Sequence, residues 1–224
     1  MNSTFDIRSN CVKIKADIKG RGLQFRGSGV LYPLDGDDEY DYIFTAQHIF
    51  KDTRKKKLNA VLDKIGTIEI EVFEDGHFVT YKTITKDTIS NLLPIGEDFL
   101  IIKIDKSEKH FTPFLLADDL IEEKSMQLYG VSGEAQDIIT RLDCKCVDSK
   151  VDLVNITSHV DKMDSLHGMS GGGVFAQNQP LMYGVLWKYA ATEGEFHNVK
   201  ITQVLEEKIK SQLTLRRWKS LNFV

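Results

Sequence analysis

With 224 residues, 42% hydrophobic and 28% charged, the chain is long enough to bury a large core and too apolar to stay disordered. Its 29 basic and 33 acidic side chains leave a net charge of -4, which supplies no general attraction to nucleic acid. No apolar run approaches membrane-spanning length, so no membrane association is expected. The three cysteines, Cys11, Cys144 and Cys146, form neither a disulfide framework nor a paired zinc-ligand pattern.

Met1 to Asp6 has no basic segment leading into an apolar one, so no secretory leader is expected and the chain reads as cytoplasmic and reduced. Short stretches of β-type alternation then dominate. They run at 11–16, 29–32, 42–45, 67–73, 78–84, 99–104, 125–130, 138–147, 152–156, 173–176, 181–187 and 195–200. Turn signals such as Asp35-Gly36-Asp37-Asp38, Glu74-Asp75-Gly76 and Gln177-Asn178-Gln179-Pro180 separate them. Many short strands at this spacing predict an all-β fold of antiparallel barrels or a sandwich. The polar segment 105–110 divides the strands into two groups of similar size and is read as the crossing between two β subdomains. The expected division is an N-terminal unit over 1–106, a second over 107–200, and a C-terminal helix and tail over 201–224. The helix is predicted over 201–212, with Thr202 as its cap and Val204, Leu205, Ile209 and Leu213 as its buried stripe. Arg216, Arg217 and Trp218 lie beyond it. The basic run Arg54-Lys55-Lys56-Lys57 has no interleaved aromatic residue and reads as a solvated surface.

Chemistry concentrates at three places. Asp164 to Phe175 reads Asp-Ser-Leu-His-Gly-Met-Ser-Gly-Gly-Gly-Val-Phe. A serine among glycines sits where the backbone turns tightly and a ligand comes close; those glycines leave room for main-chain N–H groups to point at a substrate oxygen. Phe44-Thr45-Ala46-Gln47-His48 ends an apolar strand in a histidine. Glu97-Asp98-Phe99-Leu100-Ile101-Ile102 sets a carboxylate immediately before a buried strand. Each motif alone reads as structural: a flexible loop, a packed histidine, the first residue of a strand. Taken together they supply a weak hydroxyl nucleophile, a base for its proton, and a carboxylate to orient that base.

In this order the stretches resemble the chymotrypsin-like (trypsin-like) serine peptidases, across about residues 10 to 205. Gly27-Ser28-Gly29-Val30 is similar to the family's early Gly-x-Gly strand, and Thr45-Ala46-Gln47-His48 to its histidine motif. Asp98 before four apolar residues is similar to its aspartate motif, and Gly168-Met169-Ser170-Gly171-Gly172 to its serine motif. The resemblance implies two antiparallel six-stranded β-barrels with the active site between them and a C-terminal α-helix. It further implies Ser170 as nucleophile, His48 as general base and then acid, and Asp98 as its partner. Asp87 and Asp105 fit that last role less well, since neither leads directly into a comparable apolar run. The N–H groups of Gly168 and Ser170 would form the oxyanion hole. No cofactor or metal is implied.

The resemblance also implies a substrate pocket. Asp164, six residues before the serine and followed by Ser165, takes the place of the carboxylate that pairs with arginine or lysine; a differently built loop would instead turn it to solvent. His167 stands at the lip, and Leu186, Trp187 and Lys188 on the strand that pairs with substrate. Lys188 opposes a cationic substrate. Met169 replaces the aspartate that secreted members pair with a freshly cleaved amino terminus, and Gly173 replaces a common proline. Activation by propeptide removal is therefore not expected, and a partner or fused sensor module, as in intracellular bacterial trypsin-like effector domains, is expected to order the loop. Three readings follow: an intracellular serine endopeptidase acting on protein or peptide, a catalytically silent peptide-binding or scaffolding module on the same cleft, and a nucleic-acid binder using the run at Arg54. The intact set of residues argues for the first, and a steep salt dependence of binding would be needed to sustain the last.

Overall fold

β-Branched and aromatic side chains alternating with polar ones cover most of the chain, and they form strands almost wherever they do so. The computed structural model describes residues 7–34, 37–51, 64–85, 92–95, 98–117, 119–133, 137–157, 166–193 and 196–203. The run Arg54 to Lys57, Asp87, Asp164, Ser165 and everything from Val204 onward lie outside the described residues.

The first seven strands are β1 (Cys11–Ile18), β2 (Leu23–Tyr32), β3 (Tyr40–Ala46), β4 (Ile65–Glu74), β5 (His77–Thr85), β6 (Leu92–Ile95) and β7 (Phe99–Asp105). They form one antiparallel sheet in the order β5-β4-β1-β2-β3-β7-β6. β4 and β5 are joined at Asp75-Gly76, both with positive φ (47° and 86°), the two-residue turn whose twist matches that of the strands it joins.

The second seven are β8 (Leu115–Leu116), β9 (Ser125–Gly130), β10 (Thr140–Asp148), β11 (Leu153–Ile156), β12 (Gly173–Ala176), β13 (Leu181–Glu193) and β14 (Phe196–Gln203). β12, β9, β10, β11, β14 and β13 pair in that order, and β13 pairs back onto β12. That ring is the six-stranded barrel the resemblance implied, with β8 added in parallel along β13.

The first sheet departs from the expectation. It has seven strands, and among the described residues its two ends, β5 and β6, do not pair with each other. β6 is four residues long and contains Pro94, which lacks an N–H and suits an edge; the sheet is a curled half-barrel. The predicted helix is also corrected at its start. Ile201, Thr202 and Gln203 belong to β14 and pair with Leu186, Val185 and Gly184, so Thr202 is a ladder residue and not a cap. The apolar stripe from Val204 had extended a helical period backward over three residues whose pairing partners lie elsewhere in the chain.

Three buried clusters fill the molecule. Ile14, Ile43, Ile68 and Leu100 belong to one inside the first sheet, and Leu128, Val154, Met169 and Val174 to another inside the closed ring. The third joins the two, with Val30, Phe44 and Phe99 from one side meeting Phe114, Phe175 and Val185 from the other. Phe175, fully buried, packs edge-on against Phe114 (ring centroids 5.2 Å) and Tyr129 (6.0 Å), the geometry aromatic quadrupoles favour. No helix among the described residues is long and apolar enough to cross a membrane.

All three cysteines are buried and none forms a disulfide. Burial, with a smaller push from Asp143, raises the Cys144 thiol to about 12, and burial raises Cys146; such thiols are inert. At pH 8 the folded chain should leave an aromatic disulfide reagent unreacted, and three thiols should titrate on unfolding. Phe175→Ala opens a cavity between the two sheets and should destabilise the fold by about 3–5 kcal/mol, read as a lowered midpoint in denaturant.

Candidate active site

The position of the histidine and the aspartate follows from strand register. β3 and β7 are antiparallel neighbours with Ala46 opposite Phe99. The residue just before β7, Asp98, therefore emerges beside the single 3-10 turn Gln47–Phe50 that follows β3 and carries His48. Gln47 clamps the junction, its N–H on the Asp98 carbonyl (2.8 Å) and its Nε2 on the Phe99 carbonyl (3.0 Å).

Asp98 holds His48 at two points. Its Oδ2 lies 2.6 Å from His48 Nδ1, and its Oδ1 accepts the His48 backbone N–H at 2.9 Å. A carboxylate at Nδ1 assigns the proton to that nitrogen and leaves the Nε2 lone pair as the base. Side-chain exposure is 12% for His48 and 4% for Asp98, so the pair sits where charge interactions are weakly screened. Asp98 has a second partner that the sequence did not disclose. Lys51 Nζ, on a side chain only 6% exposed, lies 3.7 Å from Oδ1. Asp105, at the far end of β7 opposite Tyr40, is too distant from His48 for the aspartate role.

Ser170 comes from the other barrel, in the turn between Leu166 and β12, and is tied to the first sheet through its backbone. Its carbonyl accepts Ser28 N–H from β2 at 2.9 Å. Gly171 has φ +87°, and a Cβ there would lie 2.2 Å from both Ser28 O and Thr45 Oγ1 and 3.0 Å from Ala46 N. The residue after the serine is thus pressed against the strand that leads into His48, an approach only glycine permits.

The turn also fixes where its N–H groups point. In a trans peptide N–H and C=O face opposite ways. The His167 carbonyl is taken by Gly133 N–H and the Met169 carbonyl by Gly172 N–H (2.8 Å). The N–H groups across those two peptides, on Gly168 and Ser170, are turned the other way. The N–H groups of Met169, Gly171 and Gly172 are used within the fold, on Leu166 O, Leu186 O and Met169 O. Those of Gly168 and Ser170 have no hydrogen-bond partner among the described residues. Two free donors flanking a serine are what an anionic oxygen beside that serine requires. Met169, between them, is fully buried in the second core, so an apolar side chain holds the middle of the turn.

The remaining predicted residues are less concentrated. His167 is exposed. Leu186 turns its side chain into the second core, and its contribution is the backbone: its carbonyl takes Gly171 N–H and its N–H donates to Gly172 O, both at 2.8 Å. Trp187 falls in the β13–β14 register shift between Leu186 and Lys188, a bulge of the kind that redirects a strand beside a site. Lys188 is exposed, with Nζ 5.8 Å from the Trp187 ring centre. Among the described residues no group of His, Cys, Asp and Glu is arranged to hold a metal ion.

No family model matches the chain, and no curated protein sequence does. Solved structures do. A collagenase, "HL collagenase", superposes with a TM-score of 0.62 at 12% identity, covering 92% of this chain and 94% of that one. The chain has a chymotrypsin-like fold. A serine endoprotease from Yersinia pestis matches with a TM-score of 0.56 at 14% identity, covering 93% of this chain; the present chain spans 62% of that protein's length. Among the described glycines, Gly171 is where an added Cβ would come closest to neighbouring atoms, so Gly171→Ala is poorly absorbed. The left-handed backbone costs about 1–3 kcal/mol for a residue with a Cβ, and the overlap with Ser28 O and Thr45 Oγ1 adds to it. The variant should melt several degrees lower, at roughly 2–4 °C per kcal/mol, in a calorimetric scan.

Proposed function

We propose that the chain is a serine endopeptidase that cleaves peptide bonds through an acyl-enzyme. The observation that carries this reading is the juxtaposition of a doubly held His48–Asp98 pair with a serine turn whose Gly168 and Ser170 N–H groups are free among the described residues. In this reading His48 Nε2 removes the Ser170 hydroxyl proton as Oγ attacks the scissile carbonyl. Asp98 steadies the imidazolium, and the two N–H groups take the oxyanion. The same imidazolium then delivers its proton to the leaving amine, and a water repeats the sequence to release the acid. A binding module has no use for two unpaired donors aimed beside a serine, which favours the enzyme over a silent peptide-binding scaffold.

The finer assignments belong to the same proposal. Asp164 and Ser165 would form the base of the pocket for the side chain preceding the cut, with Arg or Lys preferred, and Lys188 would oppose that charge from the strand beside it. Three buried cysteines, none in a disulfide, support work in a reducing compartment, the cytoplasm. A partner or fused sensor module would order the oxyanion loop.

Labelling with a fluorophosphonate probe tests the reading directly. The folded chain should be labelled at Ser170, and Ser170→Ala and His48→Ala should abolish it. Asp98→Asn should lower kcat by about 10⁴-fold by leaving the wrong tautomer. Absence of labelling in a folded chain, alone and with candidate partners, would favour the peptide-binding scaffold. In labelled protein, peptides with Arg, Lys or Glu before the cut decide specificity; preference for Glu would reject the role given to Asp164.

A further inference from the structure

The turn that aims the two N–H groups has three successive peptide units, and the middle one is held from the opposite barrel. Its N–H, on Met169, donates to Leu166 O at 3.2 Å. Its carbonyl, on Gly168, accepts the hydroxyl of Ser28 at 2.8 Å. Ser28 lies on β2, 140 residues away in sequence, and is fully buried. The same Oγ accepts Val131 N–H, just beyond β9, at 2.7 Å. The Val131 carbonyl, at 3.4 Å, is the longer of two acceptors in reach, so the single hydroxyl proton goes to Gly168.

The backbone of Ser28 is engaged as well. Its N–H donates to Ser170 O at 2.9 Å, and its carbonyl accepts Thr45 Oγ1 at 2.6 Å. Every polar group of this one residue is therefore spent between β3, the end of β9 and the serine turn. The pairs 167–168 and 169–170 carry the N–H groups without a partner among the described residues, and the unit between them sets their relative tilt. Rotation of that unit would need the Gly168 carbonyl to leave Ser28 Oγ.

We propose that Ser28 is the positioning residue of the oxyanion site: its hydroxyl, supplied by the first barrel, clamps the Gly168–Met169 peptide and so holds the Gly168 and Ser170 N–H groups convergent. It touches no reacting atom and acts through the turn. The catalytic part of this inference rests on the endopeptidase reading. The clamp itself is a statement about the turn and is measurable without turnover.

The test compares the full chain with Ser28→Ala and Ser28→Cys, the latter keeping a weak donor and acceptor. In Ser28→Ala, amide exchange at Val131, Met169 and Gly172, whose N–H groups are bonded in and around the turn, should quicken by about 10-fold or more while β3 and β7 amides keep their protection. Fluorophosphonate labelling and kcat should fall by about 10²-fold, in the range of losing one oxyanion donor, with KM within about two-fold and Ser28→Cys intermediate. Wild-type exchange and kcat in a folded Ser28→Ala would overturn the proposal, as would a lowered melting point with kcat unchanged. If Ser28→Ala does not fold, the same two measurements on Ser28→Cys decide. A wild-type chain that never labels would remove the endopeptidase reading, and the exchange comparison would still decide the clamp.

Discussion

The site depends on one cross-barrel contact, the seating of the serine turn on β2. The Ser28 N–H to Ser170 O bond and the absence of a Cβ at Gly171 bring a turn of the second barrel against a strand of the first. Without that seat the His48–Asp98 pair would stay intact, since β3 and β7 assemble it within one sheet, but the serine turn would no longer lie against it. The aromatic layer around Phe175, Phe114 and Phe44 supplies the non-directional attraction between the barrels. The hydrogen bonds at Ser28 supply the registry that such attraction lacks.

The electrostatics are divided in a similar way. Asp98 serves His48 on two atoms and carries a nearly buried Lys51 on one of them. A buried carboxylate left with fewer partners would pay for its desolvation; the lysine offsets part of that cost without competing for Oδ2. On the second barrel the neighbouring N–H groups of Met169, Gly171 and Gly172 are paired and Met169 is sunk into the core, while those of Gly168 and Ser170 have no partner among the described residues.

Most strands were legible because alternation of Val, Ile and Phe with polar residues marks a half-buried strand locally. β9 and β12 fall on the expected residues. β6 and β8 escaped notice since four residues around a proline and a two-residue bridge carry no period. Ile201 to Gln203 were misjudged because a helical stripe and a strand share apolar residues over so short a span. The histidine, aspartate and serine motifs could be read because their neighbours are constrained too. Lys51 could not, since a lysine after an apolar turn looks like any surface lysine. Ser28 stands within the Gly27-Ser28-Gly29 motif, yet its partners Val131 and Gly168 lie 103 and 140 positions away, and no local pattern encodes them. Leu186 was legible as a position and not as a role, because only the packing shows its side chain turned inward.

The closed ring has a consequence for the order in which the chain is made. The histidine and aspartate reside in a sheet whose last strand ends at Asp105. The ring that supports Ser170 needs β14, ending at Gln203, to bridge β11 and β13. During synthesis from the amino terminus, the His48–Asp98 pair can therefore assemble about a hundred residues of elongation before the ring beneath Ser170 can shut. A nascent chain emerging from the ribosome holds the histidine–aspartate pair well before the serine turn has a closed ring beneath it.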